Sequence, residues 1–378
     1  MNNICISSYT DFHCLAHAPS GTIADVPLLL LNNSEKNPIS IPELYNPAFM
    51  IKHPKSETYY ACLESINEGH IATISDMKLK QILKCGGKSS CFLAFDPSLK
   101  YLVNINYWDS SISIHSIDTQ NYFLSEALGV FKDPACTLAN GLGEHLANRQ
   151  SEPHYHSALF IENDNATFLL VPDLGTDKIH IFEFIYNSVP SILRRGCVNL
   201  PSGSGPRYII KKNNVIYVVN ELNSTVTTFE FACAPSVAER PLIMRENAFL
   251  RRKPTRARGR TPELLEKNTK STLPPDFSSE NSKCGGITLH ETEPYLLVSN
   301  RGHNSISIFK CSGFDINIIN IFSTLGATPR HFTFSTDFSE IYVANQDSDC
   351  VTIFSFTNGM TKYIKSIDVC SPNFILTL

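Results

Sequence analysis

Residues 206–229 read PRYIIKKNNVIYVVNELNSTVTTF, and residues 329–354 read PRHFTFSTDFSEIYVANQDSDCVTIF. Each opens on Pro-Arg, runs through an apolar strand, turns on polar residues, and enters a second strand that ends in Asn. A few polar residues then lead into a third strand that ends in Phe. Short runs rich in Val, Ile, Tyr and Phe between polar turns are the mark of strands. The plan recurs at residues 90–114 (SCFLAFDPSLKYLVNINYWDSSISI), 155–182 (YHSALFIENDNATFLLVPDLGTDKIHIF) and 285–309 (GGITLHETEPYLLVSNRGHNSISIF). A looser copy lies at 47–74, and Ser371-Pro372-Asn373-Phe374 opens one more.

The openings fall at 47, 90, 155, 206, 285, 329 and 372, separated by 43, 65, 51, 79, 44 and 43 residues. A four-stranded propeller blade takes roughly 40–50 residues. The last opening leaves room for one strand before Leu378, so the rest of that blade must come from the N-terminus, where residues 4–8 and 28–31 are available. Such pairing closes the ring and removes its free edges. The chain therefore reads as all-β, a seven-bladed β-propeller closed by its N- and C-terminal strands, one domain over 1–378. A two-sheet sandwich would not repeat one sub-pattern seven times. The two wide gaps carry insertions. Residues 133–150 lack alternation, and residues 240–268 read as a basic surface loop, with eight basic residues and two prolines between 240 and 260.

Composition narrows the function classes. Hydrophobic content of 42%, charged content of 18% and a net charge of −4 describe a soluble globular chain without a nucleic-acid or membrane partner. The N-terminal MNNICISSYTD has no basic or apolar leader region, and no apolar run reaches spanning length, so a cytoplasmic location is expected. The 12 cysteines are scattered without a CxxC pair and read as reduced.

Equivalent positions in successive blades form rings around the axis. The residue after each opening is Ala48, Cys91, His156, Arg207, Gly286, Arg330 and Asn373. The residue after the Asn or Asp that ends the second strand is Tyr107, Leu174, Glu221, Arg301 and Gln346. In an antiparallel pair, the start of one strand lies beside the end of the next. Both rings thus sit at one mouth of the channel and bring His156, Arg207, Glu221, Arg301 and Arg330 together. Three arginines with a histidine and a carboxylate make an anion site with an acid–base pair.

Weaker signals add little. The Gly203-Ser204-Gly205-Pro206 run lacks the third glycine and the following helix of a dinucleotide loop. Trp108-Asp109 is a lone dipeptide, and no Gly-x-Ser-x-Gly elbow occurs. His154 and His156 alternate on one strand without a third ligand at metal spacing, so His154 is expected to contact substrate, with no metal or cofactor. Protein partners are not specified by the sequence.

The stretches LVPDLGTDKIHIF, GSGPRYI, YVVNELNSTV, LLVSNRGHNSISIF and TPRHFTF followed by VANQDSD resemble the lactonase-type seven-bladed propeller family. That family includes propeller 6-phosphogluconolactonases and carboxy-cis,cis-muconate lactonizing enzymes. The resemblance covers most of the chain from Ser90 onward. It implies a catalytic set of His156, Arg207, Glu221 and Arg301, to which the ring positions and the strand alternation add Arg330, Gln346 and His154 as substrate contacts. The substrate it implies is a small anionic lactone, most simply a sugar-phosphate lactone of the pentose phosphate pathway opened by hydrolysis. Cycloisomerisation of a muconate and a non-catalytic binding propeller are the alternatives. The chain departs from the family pattern at Ser89-Ser90-Cys91-Phe92, where Gly-Pro-Cys-His is usual, and at Gly286, where an acidic residue is common.

Overall fold

In five of the seven blades the Asn or Asp that ends the second strand anchors the blade's inner corner. In a computed structural model describing residues 4–32, 35–39, 41, 43–133, 146, 148–163, 166–234 and 261–378, these side chains bond across to the third strand. Asn106 Nδ2 donates to Ser111 Oγ at 3.0 Å, Asn220 to Thr225 at 2.8 Å, Asn300 to Ser305 at 3.1 Å and Asn345 to Thr352 at 2.9 Å. Asp173 accepts from Thr176, in the turn itself, at 2.7 Å. In these five blades the residue just before the third strand is left-handed: Ser110, Asp177, Ser224, Asn304 and Asp349 have φ between 45° and 55°. The polar stretch between second and third strands is therefore one repeated turn, and the side chain after the Asn or Asp is carried to the channel mouth. Asn300→Ala should cost about 1–3 kcal/mol, because the Thr272 hydroxyl and carbonyl would lose buried partners. Denaturant unfolding of the variant measures this.

Among the described residues, 28 strands form seven four-stranded antiparallel sheets. Six blades are consecutive in sequence, their innermost strands being Pro47–Lys52, Ser90–Phe95, Leu159–Asn163, Pro206–Lys212, Lys283–Leu289 and Pro329–Phe334. The seventh combines Pro372–Thr377, innermost, with Ile4–Ser8, Leu28–Asn32 and Glu35–Ile39. Ile6 faces Ile375 and Cys5 faces Leu376 across that junction.

Apolar residues alternate on both faces of each sheet and meet those of the next blade. Seven core clusters result, one between each adjacent pair. An open arc of seven blades would have six such interfaces. The closing cluster joins Ile4, Ile6 and Ile375 to Tyr342, Val351 and Ile353 of the sixth blade.

The expected basic loop needs correction at its end. Residues 240–260 lie outside the described residues, but 261–268 belong to the strand Thr261–Ser271, the outermost of the fourth blade. Pro262 and Leu264 are buried and alternate with exposed Glu263 and Leu265, because one face of an outer strand still packs on its neighbour. Charge content obscured that alternation.

Candidate active site at the channel mouth

The first ring owes its position to β-bulges. Pairing skips one residue near the start of the innermost strand, and the skipped residue is Ala48, Cys91, Arg207, Arg330 or Asn373 in the five blades where it is single. A bulge leaves its extra residue out of the ladder and re-aims its side chain. Here the re-aimed side chains line a cavity of about 460 Å³, within the roughly 300–1,000 Å³ of small-molecule sites. His156 and, from the second ring, Tyr107, Arg301 and Gln346 also line it. The next residues inward, Phe49, Phe92, Tyr208, His331 and Phe374, crowd together below. Phe49 lies 4.4 Å from Phe92 and 4.9 Å from Phe374, and Phe374 lies 4.0 Å from His331, ring centre to ring centre. This aromatic layer narrows the channel beneath the mouth and lowers its polarity, which strengthens charge interactions above it.

Glu221 is the electrostatic hub. Its carboxylate is fully buried and accepts from Arg149 Nη2 at 2.7 Å on Oε1, and from Arg301 Nη2 at 2.9 Å and Arg207 Nη1 on Oε2. Burial alone would push its carboxyl up. Arg149, Arg301 and Arg207 outweigh that and hold it well below the ordinary carboxylate range. It is therefore ionised at neutral pH and is neither a proton donor nor a ready base. Burial lowers Arg301 to about 10, so it keeps its charge.

A second group stands across the mouth. Tyr9 donates to Glu64 Oε2 at 2.8 Å, Arg330 Nη2 approaches the same oxygen at 3.8 Å, and the Arg330 guanidinium lies 5.4 Å over the Tyr9 ring. Among the described residues, five cationic side chains (Arg149, Arg207, Lys283, Arg301, Arg330) face three carboxylates (Glu64, Glu221, Asp347). The mouth thus carries an excess of two positive charges and suits an anionic ligand.

His156 sits in the cavity wall at 6% exposure, between Tyr107 and Tyr208 at 5.4 and 5.3 Å. Burial, then Arg207, holds its imidazole well below the ordinary histidine range, so it is neutral at pH 7. Its Nδ1 has no hydrogen-bond partner among the described residues, and neither has the Oε1 of Gln346. The segment between the first two N-terminal strands adds Leu15, His17 and Pro19 to the wall. That strap is tied to the sixth blade by Ser20 N to Asp347 at 3.0 Å and Thr22 N to Asp349 at 2.8 Å. It is tied to the first blade by Asn46, which accepts from Thr10 N at 2.8 Å. At Gly21 any side chain would lie within 2.7 Å of Gln346, Ser371 and Asp349, so the crossing requires glycine.

His156, Arg207, Arg301, Arg330 and Gln346 all reach the cavity wall. Two expected site residues sit elsewhere. Glu221 lies behind the arginines with no exposed surface. His154 is fully buried and stacks on Tyr107 at 4.4 Å with its backbone N–H on Asp173, which makes it a support for Tyr107 and not a substrate contact. Gly286 and Leu174 do not line the cavity. Tyr9, Glu64, Arg149 and Lys283 were missed. Tyr9 and Glu64 are the second-ring residues of the seventh and first blades, and Ser8 and Leu63 stand where the Asn or Asp marker should be. Arg149 comes from the 133–150 insertion, which has no repeat register to place it.

Fold and site together define a closed seven-bladed propeller with a cationic, histidine-bearing pocket at one mouth. The profile of the family described as "Lactonase, 7-bladed beta-propeller" matches residues 3–238 and 255–377. The chain belongs to that family. It is 23% identical over 337 residues to a 6-phosphogluconolactonase of Bacillus subtilis, covering 85% of this chain and 84% of that one. It is 28% identical over 331 residues to a 6-phosphogluconolactonase of Formosa agariphila, covering 83% and 82%. The periplasmic gluconolactonase of Pseudomonas aeruginosa superposes with a TM-score of 0.77 at 20% identity, covering 100% of this chain and 99% of that structure.

Proposed function

We propose that this chain hydrolyses a sugar-phosphate lactone, 6-phosphogluconolactone, as a step of the pentose phosphate pathway in the cytoplasm. The observation that carries the reading is a neutral histidine in the wall of a narrow-floored, cation-rich cavity beside a buried arginine. A purely structural propeller would have its mouth closed and its charges balanced, whereas this mouth is open with cations in excess. A phosphorylated sugar does not cross membranes unaided, which suits an enzyme housed where its substrate is made.

Water attacks the lactone carbonyl while its proton passes to His156. Arg207, 3% exposed and lining the cavity, faces the oxyanion of the tetrahedral intermediate. The ring C–O bond then breaks, and the leaving alkoxide takes the proton back from His156, giving a hydroxyl and a carboxylic acid that releases its proton to solvent as it ionises. Glu221 fixes Arg207 and Arg301 in place, and the free Gln346 oxygen can accept from a sugar hydroxyl. Isolated His156 is a weak base, but an anion bound among the arginines offsets the Arg207 charge and raises its basicity.

The test is acid release from freshly prepared 6-phosphogluconolactone by the purified protein, above the spontaneous rate. Loss of ultraviolet absorbance from a carboxy-cis,cis-muconate is followed in parallel. Enzymatic opening of the sugar lactone is expected. Cyclisation of the muconate with the sugar lactone left at its spontaneous rate would overturn the reading.

A further inference from the structure

The cations of the mouth fall into two groups at different depths. His156 and Arg207 lie deep, at 6% and 3% exposure. Arg149 and Arg301 lie nearer the surface, with side chains 18% and 14% exposed, and Lys283 stands exposed at the cavity edge. Lys283 pairs directly with Arg301 across the first two strands of the fifth blade, so the two side chains leave the same face of the sheet as neighbours. Arg149 and Arg301 converge on the two oxygens of Glu221 from different directions. Among the described residues Lys283 makes no salt bridge or side-chain hydrogen bond, while it shares the cavity with both arginines. An ammonium held beside two guanidiniums without a carboxylate of its own is a standing repulsion that a bound anion relieves. His17 of the strap faces the same group, its imidazole lowered by burial and then by Arg149 and Lys283.

We propose that Lys283, Arg149 and Arg301 form a phosphate subsite at the rim, which sets the preference for a phosphorylated over an unphosphorylated lactone. This rests on the lactonase reading and adds the direction of binding. A phosphate dianion is strongly hydrated, and burying it fully would forfeit that hydration. The rim, where Lys283 keeps access to water, holds it at lower cost, and the uncharged lactone ring then points down toward His156 and Arg207. Lys283 selects the substrate and takes no part in proton transfer.

The experiment compares Lys283→Met, Lys283→Arg and, as a baseline, Lys310→Met, an exposed lysine of the same blade. Steady-state hydrolysis is measured on 6-phosphogluconolactone and on unphosphorylated gluconolactone, with inorganic phosphate as competitive inhibitor. Loss of a charge-assisted contact is expected to raise KM for the phosphorylated lactone about 10- to 100-fold in Lys283→Met. The preference ratio between the two lactones should fall by about tenfold or more, the inhibition constant of phosphate should rise in parallel, and Lys283→Arg should recover most of both. An equal fall in kcat/KM on both lactones, or an unchanged phosphate constant, would overturn the subsite. If the parent opens neither lactone the hydrolase reading fails by itself. Calorimetric binding of inorganic phosphate, lost in Lys283→Met but kept in Lys310→Met, then still decides the subsite.

Discussion

Glu221→Gln is expected to destabilise the fold by about 3–5 kcal/mol, the cost of removing one partner from a buried ion network. Three guanidiniums converge on this carboxylate, and the amide that replaces it carries no charge to hold them. A catalytic carboxylate on a solvated wall would behave differently, losing turnover while the melting transition stayed put. Trp108, the one tryptophan of the chain, lines the same cavity and reports unfolding by fluorescence. The pH dependence gives a second reading. Glu221 is depressed in the folded state, so its stabilisation is fully present above the unfolded-state value of about 4.3 and is lost as pH falls through the folded value below it. The stability gap between parent and variant should therefore be flat from neutral pH to about 5 and narrow below about 4.3. A flat gap of less than about 1 kcal/mol throughout would show that the arginines do not depend on Glu221.

What could be read in advance follows from what repeats. Strand number, blade order and terminal closure are written in periodic apolar runs, because each blade must present the same faces to its neighbours. The ring positions were legible for the same reason, and they delivered His156, Arg207, Arg301, Arg330 and Gln346 to the cavity wall. Depth was not legible. Glu221 and Arg301 occupy equivalent positions, yet Glu221 has no exposed surface, because three long guanidinium side chains close over it. The residues aimed by the bulges directly follow the opening residues, Pro206 before Arg207 and Pro329 before Arg330, but the bulge itself is a mismatch of register between paired strands and could not be read from one strand alone. His154 shows the converse error. It lies two residues from His156 in the segment ahead of the strand Leu159–Asn163, but its ring is captured by stacking on Tyr107, a contact between blades that local spacing does not encode.

His156→Ala is expected to lower kcat on the phosphorylated lactone by about 10²–10⁴, the usual worth of a positioned acid–base group. Stability should change far less than in Glu221→Gln, since the neutral ring contributes no ion pair and its Nδ1 has no partner to orphan. The pH profile separates this role from mere packing. Burial and Arg207 lower the imidazole pKa in the free enzyme, so the basic form persists into acid and kcat/KM should hold level through pH 6.5, falling only well below it. In the complex the substrate's negative charge opposes Arg207, so the acid limb of kcat should lie at higher pH than that of kcat/KM. A histidine that merely shaped the pocket would give no such displacement between the two profiles. Full kcat in His156→Ala on every lactone the parent opens would remove it from the mechanism and leave Arg207, with water alone as base, to carry the reaction.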